Sequence, residues 1–374
     1  MKCVATCAKG LEPLLAQELK ALGAHPDNSD DVGAVTFDGT WLLVWKCNIW
    51  LRTANRVLVE LGKWKGSRKE RLYGGFRNLL KHWPDELFHP RRTFAIQASS
   101  AASEMTNTHQ IALTCKDALV DHQRSMWGER ADVDRDDPEL RLRVRIYRNQ
   151  ATLLLDTSGE SLDRRGYRKS TTIAPMRETL AAACVLAADW NGQGPVVDLM
   201  CGSGTLLAEA GRIALGLRPS AKDRHYAFER LPSFVKDAYQ ELLPQRVLKK
   251  VSLYAGDIRP QALDATQENL RAARVDNFLQ LQECDAFTAV PPRGPGLLLL
   301  NPPHGERLDE EEGMRGDLGE LFRNDYGGWK IAVLSGGVSP GKGWGMRPTR
   351  NMPVFNGNLS ARILVFEPPA PAPE

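Results

Sequence analysis

Apolar positions along this chain fall into three kinds of run, each predicting a different element. From Leu11 to Leu22, leucines at 11, 14, 15, 19 and 22 repeat at helical spacing between strand-like runs at Cys3 to Thr6 and Ala34 to Phe37, which predicts a small α/β unit. Thr93 to Gln97, Leu140 to Tyr147 and Ala151 to Leu155 read as strands. In the second, Arg141, Arg143 and Arg145 alternate with Leu142, Val144 and Ile146, the period of a half-buried strand with one basic face. The third kind is short and stops at a polar residue: Val196-Val197 at Asp198, Val251 to Ala255 at Asp257, Phe278 to Gln282 shortly before Asp285, and Leu297 to Leu300 at Asn301. Polar groups at the carboxyl ends of buried strands are what a doubly wound sheet places around a ligand. The expected fold class is therefore α/β, a Rossmann-like domain with a mixed, mostly parallel sheet, preceded by an α+β module.

Punctuation sets the expected boundaries. Ala174 to Ala183 opens the second domain as a helix, with Pro175 and Glu178 suited to its first turn and Thr179 placed among the cofactor contacts. Residues 217–250 form an aromatic and charged insertion expected to shape the substrate mouth. Glu367 to Glu374, rich in proline, reads as an extended tail. The expected division is 1–45, 46–158, a basic linker at 159–172, the Rossmann-like domain at 173–366, and the tail at 367–374.

Composition changes this picture little. The 374 residues are 42% hydrophobic and 25% charged with net charge +3, ordinary for a chain with large cores. Residues 1–170 hold 27 basic and 22 acidic side chains, so the first part is the better polyanion contact. Between 63 and 92, basic residues including Arg68 and Lys69 interleave with Trp64, Tyr73, Phe76, Trp83 and Phe88, a pattern that suits phosphates and stacked bases and equally suits a helix core. Arg164, Arg165, Arg168 and Lys169 form a denser basic segment, expected to guide a nucleic-acid strand or to act as a charged linker. Seven scattered cysteines without a Cys-x-x-Cys pair or a histidine cluster predict no metal and a reducing, cytoplasmic setting. No run approaches the roughly 20 apolar residues of a membrane span, and no signal peptide is expected.

The candidate chemistry lies at Asn301-Pro302-Pro303-His304. Amide and aromatic amino nitrogens are poor nucleophiles because their lone pair is delocalised. Two fixed acceptors, the Asn301 side-chain oxygen and the Pro302 carbonyl, would hold the amine with its lone pair directed at an electrophilic methyl group, on a turn stiffened by proline. A ring at position 304 would stack on a flat substrate. Upstream, Asp198-Leu199-Met200-Cys201-Gly202-Ser203-Gly204-Thr205 turns from a strand into a helix. A pyrophosphate loop wants a third glycine where Leu207 stands, so the phosphate-free S-adenosylmethionine fits better, with Asp198 at its ammonium end. Asp257, followed by Ile258, suits ribose hydroxyls, and Asp285, followed by Ala286, suits an adenine.

Ser161 to Arg168, Ala174 to Ala183, Cys201 to Leu206 and Asn301 to Leu308 together resemble the RlmL family of 23S rRNA guanine-N2 methyltransferases, and the likeness extends to Asp132–Pro138 and Phe228–Arg230. The resemblance implies a ferredoxin-like and THUMP module that captures structured RNA, and a methyltransferase domain acting on a flipped guanine of 23S rRNA or of a large-subunit assembly intermediate. It implies that Asp198, Gly202, Gly204, Asp257 and Asp285 hold S-adenosylmethionine. The family usually has tyrosine where His304 stands, and some members carry a second methyltransferase domain, so one modification is expected here. A tRNA guanine-N2 enzyme, an adenine-N6 methyltransferase and a non-catalytic RNA-binding assembly factor are the rival expectations.

Overall fold

The computed structural model describes residues 1–27, 31–171, 176–243, 250–303, 308–336, 342–357 and 359–370, of which 308–312 by backbone alone. The first half is built from β1 (Lys2–Cys7), α1 (Glu12–Ala21), β2 (His25–Pro26), β3 (Ala34–Asp38), α2 (Trp41–Trp50), β4 (Ala54–Lys65), α3 (Lys69–Leu80), β5 (Phe94–Ala101), α4 (Thr108–Trp127), β6 (Leu140–Tyr147) and β7 (Gln150–Asp156). Its strands form one seven-stranded sheet in the order β2-β3-β1-β4-β7-β6-β5. The 12-residue β4 makes that sheet continuous, since Val57 to Val59 pair with β1 while Leu58 to Lys65 pair with β7. The boundary expected at 45/46 therefore moves: it falls inside α2, whose Trp45, Cys47 and Ile49 are buried in the same core as Val44.

The second half comprises α5 (Glu178–Ala187), β8 (Val196–Asp198), α6 (Thr205–Ala214), α7 (Lys236–Glu241), β9 (Leu253–Asp257), α8 (Pro260–Ala273), β10 (Leu279–Glu283), β11 (Leu297–Leu300), α9 (Leu308–Asp325), β12 (Lys330–Ser335), β13 (Arg350–Asn356) and β14 (Leu359–Phe366). The sheet order is β10-β9-β8-β11-β12-β14-β13, parallel through β12 and closed by an antiparallel pair. Four leucines in a row make β11 because it is covered on both faces. Leu297 and Leu299 enter one core, Leu298 and Leu300 the other, where Leu318 and Phe322 of α9 lie. Strand order reverses at β8, with β9 on one side and β11 on the other, which opens a crevice at their carboxyl ends.

The described residues of the insertion after α6 pack against the N-terminal module. Phe228 stacks on Trp45 of α2 at 5.8 Å, its N–H donates to the Thr157 carbonyl, and Trp50 Nε1 donates to Leu242 O at 2.9 Å. The insertion is a wedge fixing the N-terminal module to the second domain. One apolar core runs unbroken from Phe37 and Val57 through Phe228 to Leu207 and Leu253.

Candidate active site

A cleft of about 680 Å³ opens at the strand reversal, within the size range of small-ligand sites. The sequence-predicted Asp198, Met200, Cys201, Gly202, Ser203, Thr205, Asp257, Ile258, Asp285, Ala286, Asn301, Pro302 and Pro303 all line it. Two predicted contacts do not. Thr179 is buried on α5 and Gly204 caps the start of α6, and neither is among the residues lining the cleft. Gly204 nevertheless needs to be glycine: its φ is +74°, and a Cβ there would come within 2.7 Å of Leu270 and 2.9 Å of Thr266 on α8. His304 lies outside the described residues.

Asp198 ends β8 and is almost fully buried, accepting one hydrogen bond from Met200 N–H at 3.1 Å. Burial pushes its carboxyl up to about 8, against the opposing Met200 hydrogen bond and helped by the charge of Asp257. Asp257 holds the turn itself, accepting from Gly202 N–H at 2.9 Å and Arg259 N–H at 3.0 Å. Asp285 accepts from Phe287 N–H at 3.0 Å at the open rim. Asn301 follows β11, where Pro302 and Pro303 cannot donate to a ladder and end the strand. Its Oδ1 is buried with no hydrogen-bond partner among the described residues. An orphaned buried acceptor costs stability until a donor reaches it.

Met176, Leu199, Leu206, Arg259 and Cys284 also line the cleft and were not foreseen. Arg259 follows Asp257 by two residues and pairs with it at 3.2 Å, so the strand-end rule that marked Asp257 was also the signal for it. Met176 reaches the wall through the basic segment: Arg168 Nη2 donates to Met176 O at 2.7 Å and Nε to Glu178 at 3.0 Å. Arg168 is thus largely buried as a prop for the start of α5, and Arg165 is fully buried against Glu209, so both spend their charge inside the protein. Arg68, Lys69, Arg164 and Lys169 do face solvent. Among the aromatics between 63 and 92, Phe76 and Phe88 are buried, while Trp64, Tyr73 and Trp83 bond Leu72 O, Asp121 and Leu61 O with their polar ends. They belong to the core and its edge.

The cleft fits S-adenosylmethionine on these grounds: a buried acid for an ammonium, a glycine turn without phosphate-type anion ligands, and a buried acceptor without a partner among the described residues in the same cleft. Ionised Asp198 binds a cation better than its protonated form, so ligand binding should release a proton. We expect affinity for S-adenosylhomocysteine to rise from pH 6 to 7.5, by at most about tenfold per pH unit, with proton release seen by calorimetry in buffers of different ionisation enthalpy. The same raised carboxyl makes its stability contribution to the free protein fall as pH rises from about 4 towards 8. A flat affinity profile with no proton release would remove Asp198 from the ammonium site.

Residues 165–364 match the model of the RMKL-like methyltransferase domain, residues 2–58 that of the RlmL ferredoxin-like domain and residues 72–156 that of the THUMP domain. A Synechocystis protein named "Putative RNA methyltransferase" is 33% identical over 97% of this chain and 96% of its own length. The ribosomal RNA large subunit methyltransferase K/L of Cellvibrio japonicus is 36% identical over 97% of the chain, which spans 50% of that relative, and other K/L relatives are likewise spanned by about half. Among solved structures, one described as a possible methylase of Clostridium difficile superposes with TM-score 0.88 at 26% identity, covering 100% of this chain and 99% of its own. Another, "a putative methyltransferase complexed with SAH", gives 0.85 at 26%, covering 99% of each.

Proposed function

Because the chain belongs to the RMKL-like methyltransferase family, with an RlmL-type ferredoxin-like domain and a THUMP domain ahead of the methyltransferase, we propose that it methylates the exocyclic N2 amine of a guanine in 23S rRNA. The observation that carries this reading is the buried, unpaired Oδ1 of Asn301 on the wall of the same cleft as Asp198 and Asp257. Bound S-adenosylmethionine supplies an electrophilic methyl group. Asp198 takes its ammonium, Asp257 its ribose hydroxyls, and Asp285 with Ala286 and Ile258 its adenine. Asn301 Oδ1 and the Pro302 carbonyl each accept one hydrogen bond from the target amine, which draws the nitrogen out of conjugation and fixes its approach. The amine's proton becomes acidic only as the new bond forms, so no strong base is required at this turn. The substrate is rRNA or a large-subunit assembly intermediate, and the site of action the cytoplasm.

Nucleoside mass spectrometry of 23S rRNA and of tRNA, purified separately from cells with and without this protein, tests reaction, base and substrate together. Loss of N2-methylguanosine is the expected result. Loss of N6-methyladenosine instead would overturn the base assignment, and a change confined to tRNA would overturn the substrate.

A further inference from the structure

Helices α3 and α4 cover one face of the N-terminal sheet, burying Leu142, Val144, Ile146, Ala151 and Leu153. The opposite face is open at the end of β4, β7, β6 and β5 nearer the β6–β7 turn, while Leu154 and Asp156 farther along it are buried. Register places Lys63 opposite Thr152, Thr152 opposite Arg145, and Arg145 beside Ser99; the next row is Lys65, Gln150, Tyr147 and Ala101. Directly opposed residues share a face, so these two rows form a flat surface of cations, small polar groups and one aromatic ring. Tyr147 is 43% exposed, and the guanidinium carbons of Arg145 and Arg148 lie 5.6 and 5.2 Å from its ring centroid.

Charge on this face is graded. Near the seam with the second domain, Arg143 pairs with Asp156 at 3.0 Å and Arg141 with Asp137 at 3.3 Å. Towards the β6–β7 turn, Lys63 pairs with Glu60, but Lys65, Arg145 and Arg148 have no carboxylate partner among the described residues. The turn itself is pinned. Arg148 and Asn149 take φ of +48° and +62°, and Asn149 exchanges hydrogen bonds with Glu104, its Oδ1 accepting from the Glu104 N–H and its Nδ2 donating to Oε1. Among the described residues, Glu104 at this turn is bonded to Asn149 and not to a cation.

We propose that this open sheet face is an RNA-contact surface, with Lys65, Arg145 and Arg148 on phosphates and the Arg–Tyr–Arg group offering flat π surfaces to an unpaired base. Phosphate contacts need cations not already neutralised, and base stacking needs an exposed ring or guanidinium held in place. A protein interface of useful affinity centres on buried apolar anchors, which Thr152, Gln150 and Ser99 do not supply. The inference rests on the reading that the substrate is RNA, and it adds a surface distant in sequence from the methyl-transfer turn.

The test compares the unaltered chain with K65Q/R145Q/R148Q and with Y147A. Binding to protein-free 23S rRNA fragments is measured over a salt series, and S-adenosylhomocysteine affinity and thermal melting are measured alongside. The triple variant should bind RNA at least tenfold more weakly, with the slope of log affinity against log salt reduced by about 2, since each phosphate contact contributes about 0.7 to 0.9. Y147A should weaken binding about tenfold with little change in salt slope, the signature of stacking. Cofactor-product affinity and melting should not move. If the triple variant keeps both affinity and slope while the unaltered chain binds RNA, the face serves something else, an acidic protein surface included, and the inference falls. If the unaltered chain binds S-adenosylhomocysteine but no rRNA, the RNA reading itself fails and this inference fails with it.

Discussion

Asn301→Ala is expected to lower kcat/KM on RNA by about 10²- to 10³-fold while leaving S-adenosylhomocysteine affinity within a few fold. That range is what removing one fixed hydrogen-bonding group aimed at a transition state costs. The asymmetry follows from position. Oδ1 has no partner among the described residues, so its acceptor capacity is unused in the free protein and becomes useful only when a donor arrives. The neighbouring Pro302 is buried and has no side-chain acceptor that could take over the bond. Asn301→Asp keeps an acceptor at nearly the same place and should lose less than alanine does. Single-turnover methylation with saturating cofactor, beside calorimetric titration, separates the two effects. A comparable loss of cofactor-product affinity would show that Asn301 shapes the cofactor end of the cleft instead.

Why the strand-end residues could be read from the sequence is physical. A strand buried on both faces must be apolar throughout, so the first polar residue after such a run marks its carboxyl end; in a parallel sheet those ends converge. Asp198, Asp257 and Asn301 were all found that way, and the cleft gathers them. Arg165 and Arg168 could not be placed by the same means. A basic run carries no period that separates a buried guanidinium from a solvated one, and the deciding partner of Arg165, Glu209, stands 44 positions away. Continuity of the first sheet was hidden for a related reason: one long strand using both of its edges, as β4 does, looks in sequence like any other strand. The insertion's aromatics were visible, but which surface they cover depends on α2, nearly 200 positions earlier.

The linker also meets the cofactor turn directly. Asn269 on α8 accepts from the N–H groups of Lys169 and Ser170 at 2.6 and 3.0 Å and donates to the carbonyls of Ser170 and Ser203 at 2.8 and 2.9 Å. One side chain therefore holds the basic segment against the loop that lines the cleft. The segment's exposed charges, Arg164 and Lys169, and its buried ones, Arg165 and Arg168, lie together on a single short stretch.

The second large effect should come from Arg165, and it is one of folding. Its side chain is fully buried with Glu209, donating to Leu162 O at 2.6 Å, to Arg52 O, and to Glu209 Oε1 at 3.4 Å, while Tyr167 OH donates to the same Oε1 at 2.9 Å. Arg52 belongs to the N-terminal module and Glu209 to α6, whose first turn begins at the cofactor loop, so this cluster joins the RNA module to the methyl-donor site. Removing one partner of a buried, hydrogen-bonded charge pair costs about 3–5 kcal/mol; here the carbonyls of Leu162 and Arg52 also lose their donor, while Arg52 and Arg212 still act on Glu209. Arg165→Met should therefore shift the denaturation midpoint by an amount equivalent to a cost of that order. Adding Glu209→Gln to Arg165→Met should not recover the loss, because the buried Arg52 and Arg212 then lose the carboxylate that acts on them. Tyr167→Phe should cost less, about 1–3 kcal/mol, since Arg165 still holds Glu209. Urea unfolding of the three variants decides this. Were Arg165→Met to weaken RNA binding with its midpoint unchanged, the guanidinium would be a strand contact after all, and the structural role assigned to it would be wrong.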